Sequence, residues 1–121
     1  MAQHNIQGQE GENTASEYLI QKGYQILHRN WRSGHKELDI VAQKENTIIF
    51  VEVKTRKNTL FGSPQDAVND KKIRRIISSA DAYIKYYKID NPIRFDIISI
   101  ITDEGNKMIE HIEEAFYPPI W

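Results

Sequence analysis

The sequence predicts an α/β domain in which a mixed β-sheet carries helices on its faces. Three observations predict it: apolar residues at helical spacing in two long segments, three strand-like runs grouped between those segments, and two further runs after the second. The order is α-β-β-β-α-β-β, and strand runs interrupted by a helix in this way suit a mixed sheet.

The first helix spans about Gln7 to Lys22, because Ala15 and Leu19 repeat at helical spacing and Gly23 stands where a left-handed cap is wanted. Glu12 precedes Ala15 by three residues and Leu19 by seven, so it falls on the inward stripe, whereas Glu10 and Glu17 project away. Tyr24 to Trp31, Glu37 to Ala42 and Thr47 to Val53 read as strands. The last two are joined by the polar turn Gln43-Lys44-Glu45-Asn46 and form an antiparallel hairpin.

Ser63-Pro64-Gln65-Asp66 supplies a cap serine, a proline at the first helical position and an acid at the third, opening a helix to about Lys88. Its apolar stripe is Val68, Ile76, Ala80, Tyr83, Ile84 and Tyr87. Asn91-Pro92 ends it, Ile93 to Ile101 is a buried strand, and Lys107 to Ile112 follows the turn Asp103-Glu104-Gly105-Asn106. The closing Phe116-Tyr117-Pro118-Pro119-Ile120-Trp121 cannot stay helical through its prolines and reads as an extended tail or a partner contact.

A chain of 121 residues with 40% hydrophobic content fits one domain, residues 1–121, around one modest core. The 16 basic and 17 acidic residues give a formal charge of -1, so a nucleic-acid surface must come from local clustering. Cysteine is absent, which excludes disulfides, thiolate zinc sites and cysteine nucleophiles, and leaves oxygen or imidazole as metal ligands. A polar N-terminus and the lack of a long apolar run point to a cytoplasmic protein without a membrane partner.

The chemistry concentrates in Ile48-Ile49-Phe50-Val51-Glu52-Val53-Lys54. Side chains alternate along a strand, so Glu52 and Lys54 share one face while Val51 and Val53 share the other. The preceding strand offers Glu37-Leu38-Asp39-Ile40-Val41, and a register that sets Asp39 opposite Glu52 brings two carboxylates and a lysine together. Two carboxylates can hold a hard cation such as Mg²⁺ or Mn²⁺, which lowers the pKa of bound water for attack on a phosphodiester. The lysine can orient that water or stabilise the charge that develops. Taken alone, Glu-x-Lys also reads as an ordinary cross-strand ion pair.

Other polar residues carry two readings each. Glu12 is a site acid or a partly buried partner of a neighbouring base. Lys72, four residues after Val68 and four before Ile76, reaches into a site or snorkels from the apolar stripe. Gln65 is a site residue or an N-terminal helix residue. The helix cluster Lys71, Lys72, Arg74 and Arg75, and the loop Thr55-Arg56-Lys57-Asn58-Thr59-Leu60-Phe61, are nucleic-acid contacts or solvated surface, with Phe61 as a stacking wedge or a plug. His28, His35 and His111 lack metal-ligand spacing and read as structural or exposed.

Several segments together make a more specific pattern: Gly11-Glu12-Asn13-Thr14-Ala15 with Tyr18-Leu19, Gly23-Tyr24, Arg29-Asn30-Trp31-Arg32, Glu37-Leu38-Asp39-Ile40-Val41-Ala42, Phe50-Val51-Glu52-Val53-Lys54-Thr55-Arg56, Gly62 through Lys72, and Arg94-Phe95-Asp96. In these segments, which cover nearly the whole chain, the sequence resembles the bacterial UPF0102 (YraN-like) family of the restriction-endonuclease-like superfamily, akin to archaeal Holliday-junction resolvases. The resemblance implies a restriction-endonuclease-like core whose metal site uses Glu12, Asp39 and Glu52 with Lys54. Gln65 would be an auxiliary polar residue and Lys72 a phosphate contact.

The implied activity is Mg²⁺- or Mn²⁺-dependent endonuclease cleavage of DNA, branched DNA included, and the analogy with junction-cleaving relatives extends to a homodimer. A nucleic-acid-binding or interaction module that keeps the fold without catalysis is the alternative. Where the family usually reads Gly-Glu-Ile-Asp this chain has Lys36-Glu37-Leu38-Asp39, a change in the approach to the strand that removes no proposed ligand.

Overall fold

The computed structural model describes residues 2–57 and 69–118, with side chains from residue 9 onward. The elements are α1 (Ala2–Gln21), β1 (Gln25–Ser33), β2 (Lys36–Lys44), β3 (Thr47–Arg56), α2 (Asp70–Tyr87), β4 (Ile93–Asp103) and β5 (Asn106–Ile112). They form one five-stranded sheet in the order β1-β2-β3-β4-β5. β3 and β4 run parallel and the other neighbours antiparallel, so the sheet is mixed, as the sequence predicts. The parallel step falls where α2 intervenes, because only a crossover returns the chain to start a parallel neighbour.

Alternation along the strands divides the core between two sheet faces. Ile40, Ala42, Ile49, Val51, Ile98 and Ile100 pack with Ala15 and Leu19 of α1. Val41, Ile48, Phe50 and Phe95 pack with Ile76, Ile77, Ala80 and Tyr83 of α2. Gly23 ends α1 as expected: at φ +93 it donates to the Ile20 carbonyl, and Tyr24 N–H reaches back 2.9 Å to Leu19 O. Those two bonds close a Schellman cap, with Tyr24 and Leu19 buried in the same cluster. Further up the helix, Gly11 lets α1 approach the end of β3, since a Cβ there would lie 2.5 Å from Thr55 Oγ1.

Several boundaries differ from the sequence reading. Helix α1 begins at Ala2 rather than Gln7, β1 continues to Ser33 after a bulge between Ile26 and His28, and β3 continues to Arg56. The described part of the second helix starts at Asp70, capped by Asn69, which is extended and whose side chain accepts the Lys72 N–H at 2.9 Å. The proposed cap Ser63-Pro64-Gln65, together with Phe61 and Val68, lies outside the described residues. At its other end, α2 stops at Lys88, whose left-handed φ of 54 precedes Asn91-Pro92.

The C-terminal segment folds back on β4. Phe116 stacks on Phe95 at 5.0 Å, and Ala115 N–H donates to Phe95 O at 2.8 Å, which satisfies the tail reading as far as residue 118. Among the described residues no helix is long and apolar enough to cross a membrane.

On the α1 face, Asp96 is fully buried and saturated by donors. Arg94 donates twice at 2.8 Å, His111 Nε2 lies at 2.7 Å and the Glu114 N–H at 3.1 Å. Burial pushes its carboxyl up, but the bonds from His111, Arg94 and Glu114 prevail and hold it below the ordinary range. A carboxyl lowered on folding stabilises above its unfolded pKa, and that stability is lost as pH falls through the folded value. Asp96→Asn should cost about 3–5 kcal/mol by leaving Arg94 without its buried counter-charge. Urea titration at neutral pH reads this loss as a lower midpoint with an unchanged slope.

Candidate active site

The hairpin of β2 and β3 places the two central carboxylates by register. The ladder runs from Lys44 opposite Thr47 to Ile40 opposite Val51. One step further, the same register sets Asp39 opposite Glu52, on the face that α2 covers. There the backbone pairing stops and the side chain takes over: Asp39 Oδ2 accepts the Val53 N–H at 2.9 Å. The carboxylate thus anchors itself to β3 beside Glu52.

Both acids are strongly perturbed. Burial, then the charge of Glu52, pushes the Asp39 carboxyl up to about 7 against the opposing pull of the Val53 N–H. Burial also raises Glu52, while Lys72 draws it back most strongly. The hydrogen bond between the two side chains favours the proton on Asp39 and the charge on Glu52. The pair therefore titrates as a unit and keeps one proton into near-neutral pH.

Two ammonium groups converge on one oxygen of this pair. Lys54 Nζ lies 3.7 Å from Glu52 Oε1, and Lys72 Nζ lies 3.3 Å from the same atom. Lys54 arrives by strand alternation, two residues beyond Glu52. Lys72 arrives from the first turn of α2, in the row Lys72, Ile76, Ser79 and Tyr83 that faces the sheet. Of the two readings its place on the stripe left open, the ammonium thus reaches the carboxylate pair rather than solvent alone.

A cleft of about 460 Å³ opens over the pair, between α2 and the β1–β2 turn. Asp39 and Glu52 line it together with Lys71, Lys72, Arg74 and Arg75, so the helix cations and the carboxylates belong to one depression. His35, Lys36, Ser78 and Ser79 also line it and were missed by the sequence reading. Lys36 Nζ donates to Ser78 Oγ, and the Glu37 N–H donates to Ser79 Oγ at 3.2 Å, which pins the start of β2 to α2. Small hydroxyl residues beside an apolar helical stripe were the available signal.

The other predicted residues are placed differently. Glu12 is buried on α1 with its pKa raised by burial and then by the charge of Asp39, opposed by Arg29, Asn30 and Arg32. It stands near Asp39 electrostatically, yet it does not line the cleft, and among the described residues no three His, Asp or Glu side chains gather closely enough to hold a metal ion. The expected convergence of Glu12, Asp39, Glu52 and Lys54 in one concave site is therefore reduced to Asp39 and Glu52 on the cleft lining, with Lys54 reaching Glu52 from beside it. Lys57 lines a separate depression with Gly11, Thr14 and Thr55 on the α1 side, and Arg56 does not line the carboxylate cleft. Gln65 lies outside the described residues. Of the histidines, His28 bonds Tyr83 OH at 2.7 Å, His111 bonds Asp96, and His35 is exposed at the cleft.

The residues present suit a hard divalent cation. Two adjacent half-buried carboxylates repel each other, a cation would relieve that repulsion, and Mg²⁺ commonly takes only one or two protein carboxylates while keeping several waters. Nearby, Glu12 Oε1 is buried without a hydrogen-bond partner, an acceptor free for a water in an outer shell.

Fold and site together define an α/β domain with a paired-carboxylate, lysine-flanked cleft at the open end of a β-hairpin. The model of UPF0102, described as an uncharacterised protein family, matches residues 11–100. A UPF0102 protein of Phocaeicola vulgatus is 63% identical over 121 residues, covering 100% of both chains. One from Bacteroides thetaiotaomicron is 59% identical over the same full length, and one from Flavobacterium psychrophilum is 46% identical over 117 residues, 97% of this chain and 98% of its own. The chain belongs to the UPF0102 family.

Proposed function

We propose that the protein is a divalent-metal-dependent DNA endonuclease that hydrolyses phosphodiester bonds in the cleft over Asp39 and Glu52. The observation that carries this reading is the carboxylate pair itself, half-buried, mutually repelling and flanked in one cleft by cations that match a phosphate backbone. Mg²⁺ or Mn²⁺, held by Asp39 and Glu52, would supply Lewis-acid polarisation of the phosphate and a more acidic water. Glu12 would orient solvent behind the pair. Lys54 positions the attacking water or balances charge on the phosphorus oxygens, and the helix cations hold the flanking phosphates. Branched DNA is the proposed substrate, cut by a homodimer because a junction has two strands to cleave.

Labelled linear, single-stranded, flapped and four-way DNA incubated in Mg²⁺ or Mn²⁺, with and without chelator, tests the activity. Cation-dependent product supports the nuclease. DNA binding that persists in chelator, with no product from any substrate, would establish the non-catalytic binding module instead.

The helix cations make a separate expectation. Changing Arg74 and Arg75 to glutamine should weaken binding on every DNA sequence and flatten the plot of log affinity against log salt by about 0.9 per lost phosphate contact. An unchanged slope in fluorescence anisotropy would place the DNA elsewhere.

A further inference from the structure

Glu52 Oε1 receives two ammonium groups although Lys54 alone would balance its charge, and the nearer one comes from the helix. Lys72 is an unfavourable residue for its position. It sits in the first turn of α2, where the helix dipole favours anions and disfavours cations. Its side chain is only 20% exposed, and the ammonium lies 3.3 Å from Glu52 Oε1. Lys54, by contrast, is fixed by the strand that carries Glu52 itself.

Resting on the nuclease reading above, we propose that Lys72 is a built-in counter-ion of the carboxylate pair, which a divalent cation displaces and which then meets a substrate phosphate at the N-terminus of α2. Before the cation arrives, the Lys72 ammonium neutralises charge at Glu52. When a cation takes that place, the like charges repel and the lysine stem swings outward by rotation about its own bonds. An incoming phosphate provides the new partner, in the region that the helix terminus already favours for anions. Lys72 thereby links the two binding events. Each ligand alone is opposed, by the ion pair in one case and by the absence of a free lysine in the other, and both together satisfy every charge.

Calorimetric titration of Mn²⁺ into the wild type, Lys72→Met and Lys72→Arg tests this without reliance on cleavage. Lys72→Met keeps the stem and loses the charge, and should bind Mn²⁺ roughly tenfold more tightly. Lys72→Arg should stay near the wild-type affinity. With Mn²⁺ saturating, a DNA oligonucleotide with non-bridging sulfur at its phosphates, used to slow cleavage, should bind several-fold more weakly to Lys72→Met than to the wild type. Equal or weaker Mn²⁺ binding by a folded Lys72→Met overturns the counter-ion role and leaves the nuclease reading standing. Absence of Mn²⁺ binding in the wild type and both variants overturns the metal reading and this inference with it.

Discussion

Asp39→Asn should abolish cleavage, by about 10²-fold or more, and with it the affinity for Mg²⁺ or Mn²⁺. The amide keeps the shape, and its oxygen can still accept the Val53 N–H that Asp39 Oδ2 takes at 2.9 Å, so the hairpin should remain intact. The same substitution should stabilise the metal-free protein at alkaline pH. Burial and the charge of Glu52 raise the Asp39 carboxyl to about 7, above its unfolded range. A carboxyl raised on folding contributes its full stability below the unfolded pKa, and that contribution is lost as pH rises through the folded value. Metal-free wild type should therefore lose melting temperature between roughly pH 4 and 8, while Asp39→Asn lacks this component and melts higher at the upper end. Adding Mn²⁺ at about pH 8 should restore the wild type and leave the variant unmoved. Thermal melts across the pH series read both effects.

Lys54→Ala should separate chemistry from metal binding. An ammonium cannot be a metal ligand, so Mn²⁺ affinity should be unchanged or slightly increased by relief of repulsion. Cleavage should nevertheless fall by about 10²-fold, the usual cost of removing a charge-stabilising or water-positioning group. Single-turnover cleavage at saturating Mn²⁺ measures the step directly. A wild-type rate would reduce the 3.7 Å contact between Lys54 and Glu52 to an ordinary ion pair and favour the binding-module alternative.

The hairpin was the most legible part of the molecule. Its alternation over Glu37–Ala42 and Thr47–Val53 implies which residues of each strand share a face, while the register came with the structure, whose pairing of Lys44 with Thr47 leaves the turn Glu45-Asn46 and brings Asp39 opposite Glu52. The buried strand from Ile93 was equally readable because β4 is paired on both edges and covered on both faces, which demands a continuous apolar run.

The rest was hidden for physical reasons. Periodicity places Lys72 on the inward stripe of α2 without distinguishing a snorkelling stem from a charge aimed at Glu52, since only the helix position over the sheet decides where the ammonium ends. The cap motif at Ser63 falls outside the described residues, and the cap at Asn69 was not singled out because its signal is a lone asparagine before the helix. Lys36 reaches the cleft from an element far in sequence from Ser78 and Ser79, and only the small hydroxyls beside the apolar stripe of α2 gave a local signal. Glu12 shows the reverse case: its inward phase was readable and its burial follows, but phase along a helix does not fix distance across a sheet.

The central claim is that Asp39 and Glu52 form a divalent cation site, and calorimetric titration of Mn²⁺ into the metal-free wild type and Asp39→Asn tests it most directly. The wild type should show saturable binding that Asp39→Asn lacks, with both proteins folded by circular dichroism. Absence of binding in the wild type, or the same affinity in both proteins, would contradict the account.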